Sequence, residues 1–247
     1  MQNHKPTVEI VLPVYNEEDE LEAHTLKLRK FVDTQTNYSW DITIADNASN
    51  DSTASIGEKL AKKNGINYVR IAKKGRGRAV KQLWLESKAD IVMYMDIDLS
   101  TDLKHLTPLV KALTSGADIA IGSRLLPGSE VEKRELRREF ISRAYNLMIK
   151  ILFMTRFSDA QCGFKGMTKK ATMELIPHIE DNDWFMDTEL LVIAEKSGYK
   201  IYEEAVRWVD TPGSTVRVLP TAMGDIKGLV RLWKTRPWKV IKKIKYC

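Results

Sequence analysis

Only two cysteines occur in the 247 residues, Cys162 and Cys247. That is too few for a disulfide framework and suits a reducing compartment. Long hydrophobic runs are missing too. The most apolar segment, LMIKILFM at 147–154, is far shorter than the ~20 residues that cross a bilayer, and it carries Lys150. The opening MQNHKPT leads into a short apolar run without the longer hydrophobic stretch and small-residue cleavage site of a secretory signal, so a cytoplasmic protein is expected. GRGRA at 75–79 lacks the third glycine of a dinucleotide fingerprint and follows the third apolar run instead of the first, and no Walker-type lysine motif occurs. A Rossmann dehydrogenase and a P-loop enzyme both lose support. Acid is absent from the last stretch. From Lys227 to the end stand eight Lys or Arg and no Asp or Glu, so against a total of +6 the rest of the chain carries −2.

What is present suits a folded core: 43% of residues are hydrophobic and 29% charged, in a length that accommodates one large α/β domain. VEIVLPV, DITIADN, NYVRIA, DIVMYMD and DIAIGS read as strands separated by amphipathic helical stretches. That rhythm predicts an α/β fold, a mostly parallel Rossmann-like sheet with helices on both faces and ligands at the carboxyl ends of the strands. Residues 132–157 are basic and helical in pattern, with Leu136, Phe140, Tyr145, Met148, Leu152 and Phe153 separated by Arg and Lys. A short Gly-bounded extended piece, DAQCGFKGMT, follows, then helices around 169–176 and 187–197 and a strand YKIYEEAVRW, with a turn at DTPGS. No stretch is long enough to be a linker between independent domains.

Asp96 and Asp98 follow the apolar run IVMYM directly. Carboxylates beside a buried strand lose hydration worth several kcal/mol, roughly, unless a charge compensates them. On an extended strand residues i and i+2 share a face, and a pair of parallel carboxylates suits Mg²⁺ or Mn²⁺, whose remaining positions go to water and substrate phosphates. A solvated strand end followed by the helix cap STD is the plain alternative. The other strand ends add Tyr15, Asn16 and Glu17, then Asp46 and Asn47, then Gly75, Arg76 and Gly77, and lastly Gly122, Ser123 and Arg124.

LPVYNEE, ADNASNDST, GRGRAVK, MDIDLST, IGSR, RREFIS, DAQCGFKGMT, WFMDTELL and PGSTV occur in this order. From Val8 to about Trp233 the chain resembles the inverting GT-A glycosyltransferases of family 2, specifically the polyprenyl (dolichyl) phosphate sugar synthases. The resemblance implies that Pro13, Tyr15 and Glu17 cup the nucleotide, Asp46 bonds the base and Arg76 lies near the diphosphate. Asp96 would contact the ribose and diphosphate region, and Asp98, with Asp96 beside it, would ligate the cation, Mg or Mn. Arg124, Arg138 and Ser142 match the positions that grip the lipid phosphate. Gln161, Gly163, Lys165, Glu189 and Ser214 fall in the sugar and acceptor loops. Asp187 matches the catalytic base of sugar-acceptor members; here it and Glu189 are assigned to donor-sugar or arginine positioning, against a purely structural pairing.

The implied reaction moves a hexose, glucose from UDP-glucose, onto a polyprenyl phosphate at the cytoplasmic membrane face. A departing diphosphate gathers negative charge that a bridging cation can stabilise, while the attacking lipid phosphate is already an anion and needs positioning instead of a base. A GDP-mannose-dependent polyprenyl-phosphate synthase and a transferase acting on a soluble or polymeric glycan remain alternatives. Ser100, QCGFK and PGS lean toward the glucose branch. Asn47 stands where a second Asp is usual, and Thr215 where the branch usually has Lys. Residues 1–226 are expected to form the catalytic domain, with about 132–157 read as interface helices against the alternative of a helix pair packed on the core, and 227–247 a basic amphipathic tail. The tail's Lys, Arg and Trp suit an anionic membrane surface; a solvated tail or a nucleic-acid arm is the alternative, and no nucleic-acid partner is expected.

Overall fold

The structure is a computed structural model that describes residues 5–63, 65–133, 135–210 and 218–241. Its chain order is β1 (Thr7–Val14), α1 (Leu21–Asp33), β2 (Ser39–Asp46), α2 (Thr53–Leu60), β3 (Ile66–Arg70), α3 (Arg76–Glu86), β4 (Ile91–Met95), α4 (Leu106–Thr114), β5 (Ile119–Ser123), β6 (Glu130–Glu132), α5 (Leu136–Phe153), β7 (Phe164–Thr168), α6 (Lys169–Leu175), α7 (Met186–Lys196), β8 (Ile201–Ala205), β9 (Arg207–Val209) and α8 (Val218–Thr235). Among the described residues seven strands form one sheet in the order β3-β2-β1-β4-β7-β5-β8, and β6 and β9 pair separately. All neighbours in the large sheet run parallel except β7, which is antiparallel to both β4 and β5. The expected α/β architecture is present.

Period-2 alternation gives each face its own core. Val8, Ile10 and Leu12 of β1 join Ile91, Met93 and Met95 of β4 under α1 and α4. Val11, Val92 and Tyr94 face the opposite way, toward α3, α6 and α7. Strands covered on both sides have no polar face, hence their near-continuous apolar runs. The strand order reverses between β1 and β4, which opens a crevice beyond their carboxyl ends where ligands of such sheets bind.

Three sequence expectations shift. The expected strand YKIYEEAVRW divides at Val206, whose N–H bonds Ser123 O (3.1 Å) and whose carbonyl accepts from Glu130 N (3.1 Å), carrying the chain from the large sheet to the small one. Residues 130–132 are strand β6, so the helix expected over 132–157 is narrower, Leu136–Phe153. Helix α8 runs unbroken across residues 226 and 227.

The glycines of GRGRA serve backbone contact. A Cβ on Gly77 would lie 2.9 Å from Asn182 C and Asp183 O, and Arg78 N–H donates to Asn182 O at 2.9 Å. The start of α3 is therefore pressed onto the segment that leads into α7. Gly77→Ala is expected to destabilise the protein by about 1–3 kcal/mol, read as a lower urea midpoint at unchanged m-value.

Candidate active site

A turn interrupts the strand after Met95. Leu99 N–H bonds Asp96 O at 3.3 Å, and Leu99 adopts φ 50°. Asp96 and Asp98 thus lie on a turn, not on the extended strand that the i, i+2 expectation assumed. Asn16 (φ 55°) and Ala48 (φ 62°) adopt the same left-handed backbone after β1 and β2, each at a cost of roughly 1–2 kcal/mol. Three strained residues at three adjacent strand ends mark the crevice as functional.

The turn concentrates negative charge. Burial and the neighbouring Asp96 raise the Asp98 carboxyl above its ordinary range, although Ser100 donates to it from N (3.0 Å) and Oγ (2.6 Å). Glu17 is pushed up to about 7 by burial, then by Glu20, Asp98, Asp51 and Asp96. Repulsion of this kind is what a divalent cation relieves. No three His, Cys, Asp or Glu among the described residues form a ready cage. That suits Mg²⁺ or Mn²⁺, which take one or two carboxylates and fill the rest with phosphates and water.

One fixed cation answers part of this charge. Arg76 donates to Asp96 Oδ1 at 2.7 Å and to Asp187 Oδ2 at 2.9 Å, and its guanidinium lies 4.7 Å from the Tyr94 ring centre and 4.8 Å from that of Trp184. Asp187 also accepts from the Tyr94 hydroxyl and pairs with Lys165 Nζ at 3.2 Å. Burial works to raise its carboxyl, but Lys165 and Arg76 outweigh it and hold it below the usual range. An ionised carboxylate held by two cations and a phenol is a poor proton acceptor, which favours arginine positioning over the base role.

Lys165 is fully buried. It stands on β7, expected as part of the sugar and acceptor loops, and meets Asp187 from the sheet. Glu189 is likewise buried and engaged by Arg231 (2.8 Å) and Asp181 N (2.9 Å). Gly163 packs directly on Asp96, where a Cβ would lie 1.8 Å from Oδ2, and its carbonyl accepts from Asp96 N at 3.1 Å.

Among the residues expected to meet the acceptor, Asp159 grips Arg124 through Nε (2.7 Å), Nη2 (3.0 Å) and the backbone N (3.1 Å). Burial would raise the Asp159 carboxyl, but Arg124 brings it down to about 2. Arg124 stacks over Trp208 at 5.0 Å, and Arg138 donates to Asp210 at 2.8 Å. Both arginines therefore meet one short segment, 208–210. Ser142 is buried, and its hydroxyl has no partner among the described residues. Ser214 lies outside the described residues.

Asp46 is fully buried and already accepts from Ser49 N (2.8 Å), Tyr68 Oη (2.7 Å) and Arg70 Nη1 (3.4 Å). Asn47 Oδ1 takes the Gly75 N–H at 2.8 Å. Tyr15 lies under Lys74, whose Nζ is 3.4 Å from the ring centre, and Pro13 pairs with Ala45 across β1 and β2. Sequence reasoning missed Tyr68, Arg70 and Lys74. The signal for the first two was their i, i+2 spacing in NYVRIA, since parallel pairing sets Arg70 opposite Asp46.

The family model described as Glycosyl transferase family 2 matches residues 9–176. Glycosyltransferase AglD of Haloferax volcanii is 33% identical over 235 residues, covering 92% of this chain and 37% of AglD. The dolichyl-phosphate beta-glucosyltransferases of Dictyostelium discoideum and Saccharomyces cerevisiae are each 27% identical, over 90% of this chain and 72% of their own lengths. The chain thus spans little more than a third of AglD. Among solved structures, glucosyl-3-phosphoglycerate synthase from Mycobacterium tuberculosis, in complex with Mn²⁺, UDP-glucose and phosphoglyceric acid, superposes with a TM-score of 0.70 at 16% identity, over 93% of this chain and 80% of that one. At that identity the likeness shows a shared fold.

The Arg124–Asp159 fork makes a pH prediction. With a folded pKa near 2 against ~3.9 unfolded, the pair's stabilisation, about 2 kcal/mol, is complete above pH 4 and lost as the pH falls toward 2. Asp159→Asn is expected to lower the denaturation midpoint at pH 7, and its deficit against the wild type should shrink between pH 4 and pH 2.

Proposed function

The chain belongs to glycosyl transferase family 2, and from that premise we propose that it moves glucose from UDP-glucose onto a polyprenyl phosphate, inverting the anomeric centre. The observation that carries this is the meeting of two opposite edges in one site. Asp96, on the acidic edge with Glu17 and Asp98, bonds Gly163 O through its N–H (3.1 Å), and Asp159, four residues earlier in the same loop, holds Arg124 (2.7 Å). A diphosphate and its cation belong at the first edge, an acceptor phosphate at the second.

Asp98 and Asp96 would hold the cation, Mg or Mn, which when bound supplies positive charge to the diphosphate as it leaves. The chain's own residues do the rest. Pro13, Tyr15 and Glu17 are assigned to the nucleotide and Asp46 to its base, alongside the Tyr68 and Arg70 groups that Asp46 already holds. Arg124 and Arg138 draw the acceptor phosphate in, and Ser142, matched by the resemblance to that site, is assigned beside them. Asp187 keeps Arg76 aimed at Asp96 and takes no proton. A phosphate oxygen is anionic at neutral pH, so attack on the anomeric carbon requires no general base. The glucosyltransferase names of the relatives support glucose over mannose.

Two helices suit a bilayer surface. Leu136, Phe140, Leu147, Ile151 and Met154 form an exposed stripe along and just past α5, and Met223, Ile226, Val230 and Trp233 form another on α8. Arg143, Lys227 and Lys234 stand beside them on the exposed surface. Burying such a side chain yields about 1.5–3 kcal/mol at most, and each nearby cation adds about 1 kcal/mol on anionic lipid. Those magnitudes fit reversible, peripheral binding; no helix among the described residues is long and apolar enough to cross a membrane. We assign residues 1–226 to catalysis and, of the basic stretch 227–247, place the exposed Lys227 and Lys234 against the membrane at the cytoplasmic face.

Asp98→Ala is expected to cut lipid glucosylation about 10³-fold, in line with the loss of transition-state charge stabilisation. A chelator should abolish it and added Mn²⁺ or Mg²⁺ restore it. Substantial product from metal-free enzyme would overturn the mechanism. Phe140→Glu with Ile151→Glu is expected to lower co-sedimentation with vesicles containing phosphatidylglycerol, at an unchanged melting temperature.

A further inference from the structure

We propose that Asp225, on the inner face of α8, is a specificity-determining residue that accepts hydrogen bonds from hydroxyls of the transferred hexose. The proposal rests on the glycosyl-transfer function above and deepens it. Met223 and Ile226 on either side belong to the exposed apolar stripe, whereas Asp225 points inward and is only 5% exposed. A carboxylate so buried needs a cation or several N–H donors. Among the described residues it has neither, since Gln161 Nε2, at 3.2 Å, is its one donor.

Packing does not account for an acid here. Arg231 ties α8 to the core through Glu189 (2.8 Å) and Glu180 (3.0 Å), Gly228 lies against the Phe185 ring, and Leu229 and Leu232 are buried. The surroundings make the residue more costly still. Burial, then Asp181 and Asp187, push its carboxyl up to about 7, and its own charge acts in turn on the Tyr145 phenol. Tyr145 is itself engaged with the Thr188 hydroxyl at 3.0 Å.

The ligand must therefore supply hydrogen-bond donors without negative charge. Phosphate and diphosphate oxygens are repelled by Asp225 and the neighbouring Asp181, and the Gln161 amide already occupies one oxygen of Asp225. A neutral polyol with adjacent O–H groups fits. Position agrees with chemistry. Gln161 N–H bonds Asp159, which holds Arg124, and two residues on Gly163 O accepts the Asp96 N–H. Asp225 thus adjoins the loop that separates the carboxylates of the diphosphate side from the arginine of the acceptor side. The hexose must lie between those two as its bond passes from one phosphate to the other.

The test pairs substitution with deletion of substrate hydroxyls. Wild type, Asp225→Asn and Asp225→Ala are assayed with UDP-glucose, its 2-, 3-, 4- and 6-deoxy analogues and UDP-galactose on polyprenyl phosphate, and their affinities for UDP and UDP-glucose are measured by calorimetry. Asp225→Asn should lower kcat/KM for UDP-glucose about 10- to 100-fold, the value of a hydrogen bond to a charged group, and keep the Kd for UDP within twofold. At least one deoxy donor that wild type discriminates against should lose its penalty in the variant. Unchanged UDP-glucose affinity and an unchanged deoxy profile in Asp225→Asn would overturn the proposal. So would an equal loss of UDP affinity, or a wild-type enzyme that binds every deoxy donor as tightly as UDP-glucose, which needs no variant. A wild type that binds UDP-glucose but glucosylates no lipid phosphate instead overturns the proposed acceptor, while calorimetry still reads the sugar contact.

Discussion

Arg76 between Asp96 and Asp187 is the contact on which the arrangement of the site depends. Removing one partner of such a buried network costs about 3–5 kcal/mol, because the rest is left uncompensated, whereas the intact network adds little to stability. Its value is geometric. For Arg76 to reach both acids, α3 must begin against the 181–183 segment, which Gly77 permits, and Asp187 must be held from behind by Lys165 and Tyr94. These residues come from α3, β4, β7 and α7, so one guanidinium registers four elements against one another.

The site separates two electrostatic tasks. Glu17, Asp96 and Asp98 crowd together and leave charge unanswered, a state that stores affinity for a cation. Arg124 and Arg138 are instead restrained by Asp159 and Asp210. A guanidinium so restrained loses little entropy when it binds phosphate and still presents N–H groups outside the pair. The left-handed turns at Asn16, Ala48 and Leu99 hold the acidic edge in a shape an unstrained chain would avoid.

Helix α8 joins the site to its surface. Its outer stripe of Met223, Ile226, Val230 and Trp233 is apolar, while its inner face carries Asp225 and Arg231, the latter bonded to Glu189 on the same first turn of α7 that bears Asp187. Whatever rests on the outer face is thus mechanically connected to the carboxylate that aims Arg76.

Much of the fold was legible in the chain. The five leading strands, the helices between them and the placement of polar residues at strand ends follow from short-range alternation, which depends on neighbours in sequence. The family motifs likewise named Asp96, Asp98, Arg76, Arg124 and Arg138. The insertion of β7 between β4 and β5 was not legible, because an antiparallel strand carries the same period as a parallel one. That insertion takes Lys165 from an expected ligand loop to a buried support opposite Tyr94. Nor could the spacing of Asp96 and Asp98 reveal a turn, since the left-handed Leu99 is an ordinary residue by type. Tyr68 and Arg70 became partners of Asp46 only once β3 was paired beside β2. Sequence by itself determined the element types and the chemical inventory, because these rest on local periodicity and side-chain identity. Which acid meets which cation was decided by tertiary structure, because charge pairing depends on distances between segments as far apart as residues 76 and 187, and burial alone made those few ångströms decisive.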